Sequence, residues 1–247
     1  MGQTVLEVRD LGLSLGGKRV LDGLSLRLEE GRLAALIGPS GSGKTALLRV
    51  LGGLVSPEAG SAEICGTDVS DPVSRKETGM LVDEPSLWGE LSIAGNLELQ
   101  SRILGKVDRR RMGKLMKALE ILPRNTGSRR AGSCPESIKL RLGAAMALLG
   151  QPKLLLLDNI FSGLDSDDAA RLTALLREET EERGMATLLT GAFFPTLWHV
   201  STDFFRLEAG KIKAHYTKEE LLARLPEEPA GADLDALWDA LGKEGAA

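Results

Sequence analysis

The chain has 247 residues, 43% of them hydrophobic, and carries a net charge of −4 at neutral pH. This length suits one large α/β domain or one domain with an inserted subdomain, and we favour the second. No apolar run approaches the roughly 18 residues that span a bilayer, and the first residues lack signal-peptide features, so we expect a cytoplasmic protein. The acidic balance argues against general nucleic-acid binding. Cys65 and Cys134 lie far apart without a metal-ligand pattern, and we expect both to be reduced.

Strand patterns dominate both ends of the sequence, and helical patterns dominate its middle. β-Branched and alternating apolar residues predict strands at residues 5–8, 24–28, 33–37, 62–65, 79–82, 153–158, 186–189 and 204–207. Three helical patterns, at residues 93–104, 108–122 and 136–149, fill most of the region between 82 and 153. The strands therefore flank a helical insertion. Residues 226–229 predict a short linker before a C-terminal helix, which we expect to dock on the domain.

A glycine-rich segment follows the predicted strand at residues 33–37 and precedes a helical pattern. It matches G-x-x-x-x-G-K-[ST] with Gly38, Pro39, Ser40, Gly41, Ser42, Gly43, Lys44 and Thr45. Glycines let successive backbone N–H groups converge on phosphate oxygens, and the helix N-terminus adds its positive end. Lys44 is suited to bridge the β- and γ-phosphates, and the Thr45 hydroxyl to ligate Mg²⁺. The order strand, loop, helix favours a phosphate-binding loop over a simple glycine-rich turn.

The helical insertion is strongly basic. Residues 102–141 contain twelve Lys and Arg but three acids. Arg109, Arg110, Arg111, Lys114 and Lys117 form a candidate contact for anionic lipid or for an acidic loop of a membrane partner. A solvated helix face is the alternative interpretation.

The apolar run at residues 154–157 ends in Asp158, as in P-loop proteins whose strand-end acid holds Mg²⁺ through water. Residues 151–165 read Q-P-K-L-L-L-L-D-N-I-F-S-G-L-D and resemble the Walker B and D-loop of ATP-binding cassette (ABC) ATPases, usually N-P-K-L-L-L-L-D-E-P-T-S-G-L-D. The resemblance extends from Leu6 to Leu222, and residues 139–143 are most similar to the antimicrobial-peptide and drug exporter branch. The S-G-L-D at 162–165 disfavours an unrelated P-loop kinase or GTPase.

The resemblance implies an α/β fold: a P-loop NTPase core of the ABC type with an antiparallel β subdomain and an inserted helical subdomain. It places a nucleotide-binding domain at residues 1–225, with the helical subdomain at about 86–150, and a linker and short helix at 226–247. Family members bind ATP and Mg²⁺, dimerise head to tail around two ATP molecules and drive a transmembrane permease subunit. The resemblance thus implies a peripheral protein at the inner face of the cell membrane, with a permease and a second cassette as partners, in a homodimer or heterodimer.

Two positions depart from the family pattern where hydrolysis is catalysed. Asn159 replaces the glutamate that acts as general base, and an amide is not basic near neutral pH. Ala192 aligns with the switch histidine, and His199, seven residues later, is no obvious substitute. The resemblance therefore leaves this chain without a catalytic residue at either position.

Two further departures concern binding. Asp83 replaces the Q-loop glutamine and can still join Thr45 and Asp158 as a Mg²⁺ ligand, although its side chain is shorter and charged. Leu15 lies near the position of the aromatic residue that stacks on adenine. We therefore expect the metal contact to be altered and base stacking to be lost.

The signature loop departs most strongly. The family's L-S-G-G-Q presents a hydroxyl and glycine N–H groups to the γ-phosphate across the dimer, and residues 134–138 read C-P-E-S-I. Pro135 has no N–H to donate, and Glu136 places a negative charge where phosphate would bind. Ser133 and Glu136 fit an S-x-x-E capping box, in which the helix satisfies its own donors. A register shifted by one, with Ser137 as the phosphate ligand, is the alternative.

Two functions remain open at this point. The first is an ATP-binding subunit of an ABC exporter with impaired hydrolysis and a regulatory or structural role. The second is an active ABC ATPase that powers transport as a heterodimer with a partner cassette. In a homodimer both sites would combine Asn159, Ala192 and the altered signature, whereas a heterodimer would leave a defect at each site. We favour the first function.

Overall fold

Strands and helices follow one another in the order of an α/β protein. The computed structural model describes residues 2–105, 107–122, 129–225 and 231–244. Within these ranges the strands are β1 (Thr4–Leu15), β2 (Lys18–Glu29), β3 (Leu33–Ile37), β4 (Ala59–Ile64), β5 (Thr67–Asp68), β6 (Thr78–Leu81), β7 (Leu154–Leu157), β8 (Ala186–Gly191), β9 (Asp203–Glu208) and β10 (Lys211–Thr217). The α-helices are α1 (Lys44–Leu51), α2 (Ile93–Ile103), α3 (Arg109–Ala118), α4 (Glu136–Leu149), α5 (Ser166–Arg183), α6 (Phe194–Trp198), α7 (Lys218–Leu222) and α8 (Gly231–Glu244).

The larger sheet has six strands in the order β10-β9-β3-β8-β7-β6. All neighbours are parallel except β9 and β10, which form an antiparallel pair. Every residue of β3, β7 and β8 is buried, because continuous apolar runs are covered on both faces of a parallel sheet. The carboxyl ends of β3, β6, β7 and β8 therefore share one edge, where ligands bind in open α/β sheets.

The smaller sheet is antiparallel, with the order β2-β1-β4-β5. It confirms the antiparallel β unit expected from the family resemblance. Strand β1 is much longer than the predicted strand at residues 5–8. The register of its pairing with β2 shifts between Val8 and Leu11, and Asp10 has a positive φ of 48°. This irregularity interrupts the two-residue alternation, which is why the pattern predicted only the first part of the strand.

The helical insertion lies between β6 and β7 and contains α2, α3 and α4. Ser92 caps α2 by accepting a hydrogen bond from the Gly95 N–H, and Asp108 caps α3 by accepting one from the Arg111 N–H. Helix α3 ends at Ala118, four residues before the predicted end. Glu120 takes a positive φ of 50°, which no α-helix accommodates.

Arg111 corrects the predicted basic contact face. Its guanidinium is buried and donates two hydrogen bonds, of 2.5 and 2.8 Å, to the Glu179 carboxylate on α5. A further bond of 3.0 Å reaches the Leu148 carbonyl oxygen. Lys114 is also paired, since its Nζ lies 2.9 Å from Glu178 Oε1. Two of the five basic residues predicted to form the contact face are therefore paired with acids on α5. The paired residues lie about 65 positions apart in the sequence.

Helix α8 docks on the domain, as predicted. Its Leu234 and Leu241 are buried, and the Trp238 ring stacks on Phe194 of α6 with 4.7 Å between centroids. Arg206 of β9 donates a 2.8 Å hydrogen bond to the Trp238 carbonyl oxygen. The predicted linker at 226–229 lies outside the described residues. Within the described ranges, no helix combines the length and apolar character needed to cross a bilayer.

Candidate nucleotide-binding site

The glycine-rich loop joins β3 to α1 at the carboxyl edge of the larger sheet. Gly43 is the N-cap of α1 with a φ of 110°, and a Cβ there would lie 2.7 Å from the Val20 carbonyl oxygen. A Cβ on Gly38 would lie 2.1 Å from the Leu207 carbonyl oxygen. Only glycine fits these positions. The first N–H groups of α1 lack acceptors within the helix, so the loop and helix start offer donors for an anion.

Lys44 folds back over this loop. Its Nζ donates hydrogen bonds of 2.7 and 2.9 Å to the carbonyl oxygens of Gly38 and Pro39. Burial lowers the pKa of Lys44, and the negative charge of Asp158 opposes this effect. The ammonium group is therefore held within the loop by neutral acceptors, which the oxygens of a phosphate can replace.

Asp158 connects three elements at the end of β7. Its Oδ2 accepts a 2.7 Å hydrogen bond from the Thr45 hydroxyl at the start of α1. Its Oδ1 accepts a hydrogen bond from the Thr190 hydroxyl on β8. The Thr190 oxygen in turn accepts a 2.9 Å bond from the Asn159 N–H. The structure thus brings Thr45 and Asp158 together, as the sequence predicts, and adds Thr190 as their support.

A cleft of about 700 Å³ opens over these groups. Asn159 and Ala192 are exposed and line it, so the positions aligned with the family's base and switch histidine present an amide and a methyl group. Asn159 has a positive φ of 48°, a conformation that asparagine tolerates better than most residues. Leu15 also lines the cleft and is 41% exposed. His199 is exposed but does not line it.

Asp83, the third predicted metal ligand, lies in the same cleft but is bound to Arg49. The Arg49 Nη2 lies 2.8 Å from Asp83 Oδ1, and its Nε lies 3.0 Å from Oδ2. These hydrogen bonds and the charge of Asp83 raise the pKa of Arg49. Both carboxylate oxygens are therefore occupied by the guanidinium in this conformation.

The predicted capping box at the signature segment is wrong. Helix α4 begins after Pro135, and among the described residues no side chain caps it. The Ser133 hydroxyl instead donates to the Arg130 carbonyl oxygen within a 3₁₀ turn at Ala131–Ser133. The Ser133 hydroxyl is therefore engaged in the preceding turn, and Ser133 lies two residues before Pro135, the N-cap of α4. Glu136 stays exposed, 3.7 Å from Lys139.

Sequence reasoning missed the buried Thr190, which supports Asp158, and two residues that line the cleft, Arg49 and Leu140. Leu140 packs so closely that a Cβ on Gly163 would lie 2.4 Å from its Cδ1. The proximity of Thr190 to Asp158 follows from the pairing of β7 with β8, because parallel strands end at the same edge. No motif marks Arg49 or Leu140, since each is an ordinary helix residue whose partner is distant in sequence.

Comparison with known proteins identifies the family. The model for the family described as ABC transporter matches residues 21–162. The daunorubicin resistance ATP-binding protein DrrA3 of Streptomyces coeruleorubidus is 31% identical over 252 residues, covering 100% of this chain and 78% of its own length. The lantibiotic transport ATP-binding protein SrtF of Streptococcus pyogenes is 29% identical and covers 84% and 89%. The methionine import ATP-binding protein MetN of Streptomyces coelicolor is 30% identical and covers 91% and 68%.

A solved structure supports the same assignment. The structure of an ATP-binding subunit of an ABC transporter superposes with a TM-score of 0.84 and 25% identity, covering 97% of this chain and 100% of that one. The family match spans more than half of the sequence, and the fold agrees over nearly all of it. The chain therefore belongs to the ABC transporter family of ATP-binding cassettes.

Proposed function

We propose that this protein is the ATP-binding subunit of an ABC exporter, that it binds Mg-ATP through residues 38–45, and that its hydrolysis is impaired. Its role is then regulatory or structural. One observation carries the proposal: the Thr45–Asp158 hydrogen bond of 2.7 Å lies beside a complete glycine-rich loop, while Asn159 and Ala192 line the same cleft. The parts that bind nucleotide are retained, and the parts that activate water are replaced.

Nucleotide binding is supported by the loop and by Lys44. Backbone N–H groups at the start of α1 suit phosphate oxygens. Lys44 can exchange its contacts with the Gly38 and Pro39 carbonyl oxygens for the β- and γ-phosphates. Leu15 offers an apolar edge rather than an aromatic face to the base, so we expect modest affinity.

The donor chemistry at the end of β7 suits Mg²⁺. Hydroxyl and carboxylate oxygens are the hard ligands that this ion prefers, and Thr45 Oγ1 and Asp158 Oδ2 are already adjacent. Asp83 is the third candidate ligand and lines the same cleft. When bound, the ion would neutralise phosphate charge. Thr45 and Asp158 would hold it, with Thr190 fixing the orientation of the carboxylate.

Slow hydrolysis follows from the side chains around the reacting water. Asn159 cannot accept a proton near neutral pH, and losing a general base costs roughly 10²–10⁴ in rate. Ala192 has no polar group with which to orient a water molecule. On the opposing surface of a dimer, exposed Glu136 would face the γ-phosphate and repel it.

The proposed partners are a transmembrane permease and a second cassette, in a homodimer or a heterodimer. The permease would hold the protein at the inner face of the membrane. Two similar proteins, a daunorubicin resistance protein and a lantibiotic transport protein, support export as the direction. Residues 139–143 support the same branch.

Equilibrium binding of ATP in the presence of Mg²⁺ tests the proposed site. We expect Lys44→Ala to weaken binding by about 10- to 100-fold, because a hydrogen-bonded charge contributes about 1.5–3 kcal/mol. Lys213→Ala, at an exposed lysine on β10, is the matched control and should bind as the unmodified protein does. Equal affinity of both variants would contradict binding at residues 38–45.

A further inference from the structure

Two cavities meet at the Arg49–Asp83 pair. One is the nucleotide cleft. The other, of about 1020 Å³, lies between β6 and the helical insertion, with Arg75, Met80 and Trp88 in its wall. Arg49 and Asp83 line both cavities. Their ion pair therefore forms part of the boundary between the nucleotide cleft and the larger cavity.

Arg49 engages both carboxylate oxygens of Asp83. Arg49 stands in the last turn of α1, and Asp83 follows β6 with a positive φ of 63°. Two hydrogen bonds, of 2.8 and 3.0 Å, occupy both carboxylate oxygens. A cation that binds either oxygen competes with the guanidinium for the charge and the orientation of this carboxylate. A neutral amide at this position could not form such a charged pair, so the competition is a property of Asp83.

We propose that Arg49 is a positioning residue that competes with the nucleotide-bound cation for Asp83. When no cation competes, Arg49 holds Asp83. In the Mg-nucleotide complex the carboxylate turns to the cation, and the guanidinium is released toward the larger cavity. This inference rests on the proposed binding of Mg-ATP at Thr45 and Asp158. The position of the Arg49 side chain at the larger cavity would then depend on whether Mg-nucleotide is bound in the nucleotide cleft.

The exposure of the pair permits such an exchange. The side chains of Arg49 and Asp83 are 40% and 43% exposed, so water screens their attraction. Exposed pairs contribute little to stability, equivalent to about a two- to fivefold change in a binding constant. A doubly charged cation beside phosphate can therefore displace Arg49, and removing Arg49 should strengthen cation binding by a similar factor.

A Mg²⁺ titration at fixed concentration of a fluorescent, non-hydrolysable ATP analogue tests this competition. We expect Arg49→Gln to lower the Mg²⁺ concentration at half-saturation by about two- to fivefold. We expect Asp83→Asn to raise it, because a charged ligand is lost. Adding Arg49→Gln to Asp83→Asn should change nothing further, since Arg49 acts through Asp83. Thermal unfolding of each variant verifies that folded proteins are compared.

Arg75→Gln is the matched control, because Arg75 lines only the larger cavity. It should leave the Mg²⁺ midpoint unchanged. An unchanged midpoint for Arg49→Gln, or an equal shift in the Asp83→Asn background, would overturn the inference. So would weaker binding of Arg49→Gln in EDTA, which would make Arg49 a phosphate ligand. A different result would contradict the proposed function itself: Lys44→Ala would then bind ATP as tightly as the unmodified protein.

Discussion

Asn159 occupies a position whose backbone is already fixed. Its N–H donates to the Thr190 hydroxyl, which also supports Asp158. Its φ of 48° favours asparagine over glutamate, at a cost of about 1–2 kcal/mol for most other residues. A glutamate at this position would therefore lie beside Thr190 and Asp158, but its backbone would be strained. The variant Asn159→Glu shows whether restoring this one carboxylate is sufficient for catalysis.

We expect Asn159→Glu alone to give little ATPase activity. The water would gain a base but would still lack an orienting side chain, and Glu136 would still face the γ-phosphate across a dimer. Groups that act as a unit are strongly non-additive. Combining Asn159→Glu with Ala192→His, Pro135→Ser, Glu136→Gly and Ser137→Gly should give clearly more phosphate release.

The control for this series is Lys44→Ala in the combined variant, which should abolish the recovered activity. Robust turnover from Asn159→Glu alone would show that residues 134–138 are out of register with the family signature or are not needed. No side chain of the described residues caps α4, so these substitutions would remove none of the helix caps seen there.

Between secondary-structure elements, the Arg111–Glu179 ion pair links helix α3 to helix α5. Arg111 and Glu179 are buried, with side chains 6% and 1% exposed. Breaking a buried ion pair costs about 3–5 kcal/mol. Glu179 also lies 3.5 Å from Arg183 and 4.0 Å from Lys114, so we expect the lower end of that range, about 3 kcal/mol. We expect Arg111→Met to lower the free energy of unfolding by this amount, measured by urea denaturation. Replacing both, in Arg111→Met with Glu179→Leu, should recover most of the loss.

Lys117→Met is the matched control, because Lys117 is exposed on the same helix. Its effect should stay within about 0.5 kcal/mol. Equal effects of Arg111→Met and Lys117→Met would mean that Arg111 is solvated, and they would reinstate Arg111 in the basic contact face. Binding to anionic vesicles that weakens with salt would then be the next test.

The sequence predicted features that depend on local patterns. The glycine-rich loop, the buried strands and the helical insertion follow from spacing, because periodicity and turn chemistry act over a few residues. It failed where distant residues decide the outcome. The sequence pattern puts Arg111 on a surface because its partner Glu179 lies 68 residues away. It also predicts Ser133 as a helix cap, because no local pattern reveals the 3₁₀ turn that engages its hydroxyl. The occupation of Asp83 by Arg49 escaped prediction for the same reason.

For the whole molecule, we propose that nucleotide binding is retained while hydrolysis is impaired. The loop, Lys44, Thr45 and Asp158 form one group at the carboxyl edge of the larger sheet, as in a cassette that binds nucleotide. In the proposed head-to-tail dimer, Asn159 would lie on one of the joined surfaces and Glu136 on the other. Under this proposal a homodimer would have no complete catalytic site.

The rate of phosphate release by the isolated protein at saturating Mg-ATP tests whether hydrolysis is impaired while binding is retained. Ordinary enzymes turn over at roughly 1–10³ s⁻¹. We expect saturable binding of Mg-ATP together with turnover well below about 1 s⁻¹, since loss of the general base alone costs about 10²–10⁴. Turnover of about 1 s⁻¹ or more, abolished by Lys44→Ala, would contradict the account and establish an active ATPase.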